Sequence, residues 1–107
     1  MAYSSSLVNQ MWLNADTEAG YNPDVWRKDF AGAWIRRDHY NVRSKYGWRI
    51  DHICPLQMGG TDIVDNLQPI HWRNDIQKGG DYPDFTTCVT SEGKTNITKI
   101  KKWQVTD

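Results

Sequence analysis

The sequence has little of several things, and each shortage excludes a class of protein. Two cysteines, Cys54 and Cys88, in 107 residues are too few for a disulfide framework and lack the close pairing of zinc knuckles. One disulfide between them is open, with buried thiols the expected state. No stretch reaches the roughly 20 apolar residues of a membrane span, and the N-terminus lacks the charged and apolar regions of a secretory signal. The expected setting is cytoplasmic, with no membrane partner. Net charge is zero, so the overall balance does not point to a polyanion. Disorder is excluded by what is present: 38% hydrophobic residues, with six Trp and five Tyr, each able to remove about 150–250 Å² from water. A chain of this length fits one domain with one modest core.

Charge is neutral in sum but not in distribution. From Arg27 to Arg49 seven basic residues face two acidic ones, Asp29 and Asp38. From Asp51 to Asp84 the sign reverses, with six Asp against Arg73 and Lys78. A polyanion meeting the basic flank would find an acidic pocket beside it, and a bound cation there would offset the repulsion.

Residues 1–20 are polar and weakly patterned and are expected to form an N-terminal extension, with Leu7, Met11, Trp12 and Leu13 available to cap a core. The domain proper is expected over 21–107. Asn22 before Pro23 reads as a helix cap followed by proline at the first helical position, which predicts a short helix over Asp24–Phe30, ended by Gly32. Trp34–Arg37 reads as a brief extended piece and Asp38–Gly47 as a polar loop. Trp48-Arg49-Ile50 alternates as a strand and delivers Asp51 and His52 at its end. Pro55 and Gly59-Gly60 enforce an irregular loop. Asn66–Ile70 reads as a second short strand, with Pro69 marking an edge or a strand terminus. His71–Lys78 suits a short helix stopped by Gly79-Gly80. Phe85–Val89 and Ile97–Val105, flanking Ser91-Glu92-Gly93-Lys94, read as a hairpin. The fold class expected is α+β.

Four segments carry the chemistry: Asp51-His52-Ile53-Cys54-Pro55, Gly59-Gly60-Thr61-Asp62, Asp65-Asn66-Leu67-Gln68-Pro69 and Asn74-Asp75-Ile76-Gln77-Lys78-Gly79. In this order and spacing they resemble the HNH endonuclease family. The resemblance spans Trp48 to Asp81. It implies a ββα-metal (His-Me finger) core at about 48–81, with His52 as general base, Asp51 as metal ligand and Asn66 as the residue that orients His52. The family's third signature position, three before the lysine, falls on Asp75. There the chain departs from the usual His or Asn, and adjacent Asn74 stands as an alternative ligand. The zinc-binding Cys-x-x-Cys pairs of many members are absent, so no structural zinc is expected and packing must hold the fold.

The chemistry agrees with the resemblance. Hydrolysis of a phosphodiester needs a deprotonated water and compensation for charge gathering on phosphate. Imidazole, with an ordinary pKa near 6.5, can take the proton. Carboxylates suit Mg²⁺ or Mn²⁺, which prefer oxygen ligands. Arg73 and Lys78 are the expected nucleic-acid contacts, with DNA the expected partner. Cys54, His39 and Trp48 are read as structural, and His71, outside the catalytic set, as a residue able to pack, cap the helix or approach the metal. The competing reading is a module on the same scaffold that binds nucleic acid or protein without cutting.

Overall fold

The computed structural model describes residues 3–106. Among them are two α-helices and three antiparallel two-stranded sheets, an α+β arrangement. The first helix, α1 (Ser5–Asn14), lies in the segment read as a polar, weakly patterned N-terminal extension. Ser4 caps it, its Oγ accepting from the Leu7 N–H at 3.1 Å. Leu7, Val8, Met11 and Trp12 recur at helical spacing and share one face. Met11 and Trp12 are wholly buried, whereas Leu13 is exposed. This face forms the core with Ala15, Ile35, Trp48 and Leu67. Trp12 and Trp48 lie 5.6 Å apart between ring centroids, and the Trp12 indole N–H donates to Pro23 O at 2.9 Å.

The helix expected over Asp24–Phe30 does not form. Asn22 does act as a cap, its Oδ1 accepting from Asp24 N and its carbonyl from Val25 and Trp26 N, but only one turn results. The chain leaves that turn as strand β1 (Trp26–Lys28), which pairs with β2 (Trp34–Arg36). Tertiary contacts override the local signal: Arg27 donates to Pro23, Leu13 and Ala15 carbonyls, and Lys28 exchanges backbone bonds with Asp16.

Strand β3 (Trp48–His52) pairs with β4 (Leu67–His71), and helix α2 (Trp72–Lys78) follows at once. The strand, strand, helix order matches the expectation. The register sets Asp51 opposite Gln68 and His52 opposite Leu67. Pro69 is tolerated because a two-stranded sheet has an outer edge at every strand. His71 starts α2, its Nδ1 accepting from the Arg73 N–H at 3.1 Å, and Gly79 at φ 54° ends it.

The C-terminal hairpin, β5 (Asp84–Glu92) and β6 (Thr95–Gln104), forms as expected and packs on α2. Its Lys99–Trp103 segment is partly committed to packing. Lys101 donates to Ala31 O and Thr90 Oγ1, and the Trp103 ring meets Phe30 at 5.2 Å while its N–H donates to Thr87 Oγ1. Cys54 and Cys88 are free thiols, each half-buried.

Candidate functional site

The end of β3, the loop after it and the last turns of α2 enclose a pocket of about 290 Å³. Asp51, His52 and Asp75 all line it, with Leu56 and Gly79-Gly80 at its sides. Three groups separated along the chain are therefore brought to one cavity. No group of three or more His, Cys, Asp or Glu is drawn together as a metal cluster among the described residues.

Each group already has partners. Asp51 is buried; its Oδ2 accepts from Gln68 Nε2 at 2.9 Å, and the Lys78 ammonium lies 3.3 Å from both its oxygens. Burial pushes the Asp51 carboxyl up, and the charge of Asp75 adds to the rise, while Gln68 and Lys78 oppose it. Asp75 pairs with the Arg49 guanidinium at 3.2 Å. His52 Nε2 lies 2.6 Å from Asp62 Oδ1, a partner absent from the sequence reading. With Nε2 facing a carboxylate, the neutral ring carries its proton there and leaves the lone pair on Nδ1.

Asn66 does not touch the imidazole. Its Nδ2 donates to Cys54 O and Thr61 O, and its Oδ1 accepts from Cys54 N. It ties the residues just after His52 to those just before Asp62. Its influence on the ring is thus exerted through the loop, which corrects the expectation of a direct bond. Gly60 completes this closure, since a Cβ there would sit 1.9 Å from Cys54 O.

Asn74 and Asp75 separate cleanly. Asn74 is fully buried: it donates to Asp29 Oδ2 and Val89 O and accepts from Cys88 and Val89 N–H. All its hydrogen-bonding capacity is spent on the core, which leaves Asp75 as the member facing the pocket. Asp29, also buried, accepts four bonds, from Ala31, Ala33 and His71 N–H and from Asn74. It therefore anchors the first turn of α2.

Lys78 is a correction. Expected at a phosphate, it is 1% exposed and donates to His52 O at 3.0 Å as well as pairing with Asp51. Its position four residues after the buried Asn74 puts it on the inward face of α2, where it neutralises a buried carboxylate. Arg73 is exposed, yet it borders a different hollow with Arg43 and Lys45, not the cavity of Asp75. His71, buried and neutral, donates from Nε2 to Lys45 O at 2.9 Å; burial holds its pKa below the ordinary value.

Four partners of the predicted residues escaped the sequence: Asp62, Arg49, Gln68 and Asp29. Gln68 was reachable from pairing register, and Asp62 stood in a quoted segment without a role. Asp29 lies 42 residues from His71 and carried no signal.

Comparison with models of protein families, with curated proteins and with solved structures gives no match. No helix among the described residues is long and apolar enough to cross a membrane.

Proposed function

We propose that this chain is a metal-dependent endonuclease of HNH type that hydrolyses DNA phosphodiester bonds, with its strand, strand, helix unit serving as a ββα-metal core. The observation that carries the reading is the meeting of His52, Asp51 and Asp75 on one cavity.

The donor chemistry fits a hard cation. Mg²⁺ is commonly held by one or two carboxylates with water completing the shell, so the lack of a three-ligand cluster is no obstacle. Burial is the main cause of the raised Asp51 carboxyl and the charge of Asp75 adds to it, a repulsion that a dication held by the two would relieve. Asp51 and Asp75 would hold the ion, which when bound polarises the phosphate and stabilises the departing oxygen. His52 accepts the proton of the attacking water at Nδ1. Asp62 fixes the ring by accepting from Nε2 and favours the imidazolium that forms. Asn66 holds the loop that presents Asp62.

The test is nicking of supercoiled plasmid by the purified protein with Mg²⁺ or Mn²⁺. His52→Ala is expected to lose about 100-fold or more in rate while remaining folded. Unchanged cleavage in that variant removes His52 from the mechanism. One observation favours the second reading, a binding module that does not cut: Lys78 and Arg49 already neutralise the two carboxylates. Salt-dependent DNA binding without metal-dependent nicking would select it.

A further inference from the structure

A second cavity, of about 210 Å³, lies between the β1–β2 hairpin and the tip of the β5–β6 hairpin. Four aromatic side chains and one lysine line it: Tyr21, Trp26, Trp34, Tyr46 and Lys94. The rings stand at angles rather than packed flat. Trp26 meets Trp34 at 83° and Tyr46 at 88°, with centroids 6.3 and 4.8 Å apart, and Tyr21 lies 4.6 Å from Trp34.

The cavity is built by specific bonds. The Trp34 N–H donates to Asn96 Oδ1 at 2.7 Å, its indole N–H donates to Gly93 O at 2.7 Å, and Asn96 Nδ2 returns a bond to Trp34 O. These lock the two hairpins together with Trp34 buried as the floor. The other three rings are only half-buried. Their polar groups, Trp26 Nε1 and the Tyr21 and Tyr46 hydroxyls, have no hydrogen-bond partner among the described residues.

Charge decides what such a pocket takes. Aromatic cages are best known for cations, held over the ring faces. Here three of the rings already have a protein cation over them, so a further cation would meet like charges: Lys28 lies 4.6 Å from the Trp34 centroid, Arg36 5.4 Å from Trp26 and Lys45 5.9 Å from Tyr46. No carboxylate lines the cavity, and neither Lys45 nor Lys94 has an acidic partner among the described residues. A flat, uncharged ring with an attached anion fits this environment, and a cationic ligand does not.

We propose that this cavity binds one unstacked nucleobase of a nucleic-acid strand, stacked among Tyr21, Trp26 and Tyr46, with its phosphate met by Lys45 and Lys94. The proposal goes beyond the nuclease reading and needs neither metal nor hydrolysis. Tyr46 precedes His52 by six residues, so along β3 the two sites lie within about 20 Å of each other. One strand can reach both.

The experiment follows the Trp indole N–H resonances of the full chain in EDTA, assigned with Trp26→Phe and Trp34→Phe. Titration with dAMP and dCMP is expected to shift the Trp26 signal. Ribose 5-phosphate, which has no base, and choline are expected to leave it in place. A ten-nucleotide single strand should produce the same shifts at a concentration about tenfold or more below that of the free nucleotide. Tyr21→Ala and Tyr46→Ala should each weaken strand binding by about tenfold with the remaining amide spectrum preserved. No shift with nucleotide, a shift with choline instead, or equal affinity for mononucleotide and strand would each overturn the proposal. Because these readouts are taken without metal, the absence of plasmid nicking leaves them intact, and their failure says nothing against His52.

Discussion

Asn74 and Asp75 are adjacent, similar in size and both capable of binding a cation, yet the helix turns one into the core and the other into the pocket. That division follows from the roughly 100° between successive helical residues and from Asp29, which claims the Asn74 amide. Lys78 shows the same geometry at work. Replacing it by Met keeps most of the side-chain bulk but leaves Asp51 buried without its counter-charge, and we expect a loss of about 3–5 kcal/mol in urea unfolding. A loss under 1 kcal/mol would mean that Asp51 does not depend on the ammonium. Asp62 belongs to the same scale but to function. Asp62→Ala should lower plasmid cleavage about tenfold or more with the thermal midpoint unchanged, because the carboxylate is exposed and His52 is its one hydrogen-bond or ion-pair partner among the described residues. Equal rates in the two proteins would show that the ring needs no such support.

At the level of elements, the strand pair β3–β4 and helix α2 were legible because each signal there is local. Alternation marks the strands, Pro69 marks an edge, and Gly79 marks a helix end. The start of α2 was legible only in part, since capping was one of several roles open to His71 in the sequence. His71 serves as its cap through Nδ1 while its Nε2 donates to Lys45 O, so the ring is neutral with a fixed tautomer. Its pKa is lowered by burial, with the Arg73 charge contributing. The unfolded chain then binds the proton more readily than the folded one. Stability is therefore full above about pH 6.5 and declines as pH falls below that value. Thermal melts of the wild type and His71→Asn, which retains a capping oxygen, should show the wild type losing midpoint between pH 6.5 and 5 relative to the variant. Parallel curves would remove His71 as the source. The helix expected over Asp24–Phe30 failed for the opposite reason: its cap is real, but contacts made by Arg27 and Lys28 with distant carbonyls decide the conformation.

For the whole molecule, the sequence conveyed the α+β class and marked Leu7, Met11 and Trp12 as able to cap a core, but not that residues 5–14 form a helix. Their polar composition hides four apolar positions on one helical face, and only the docked helix shows that Met11 and Trp12 complete the core around Trp48. Trp48→Ala should cost about 3–5 kcal/mol, since it empties the centre of contacts with Trp12 and Tyr40. Chemical denaturation measures this, and a cost under 1 kcal/mol would mean that the remaining rings collapse to fill the space.

The three sheets each contain two strands and none shares an edge with another. Continuity between them therefore passes through side chains, through Asp29 and Asn74 at one seam and through Trp34 and Asn96 at another. The aromatic cavity lies at the second of these seams, so its shape depends on Trp34 and Asn96 holding the two hairpins together.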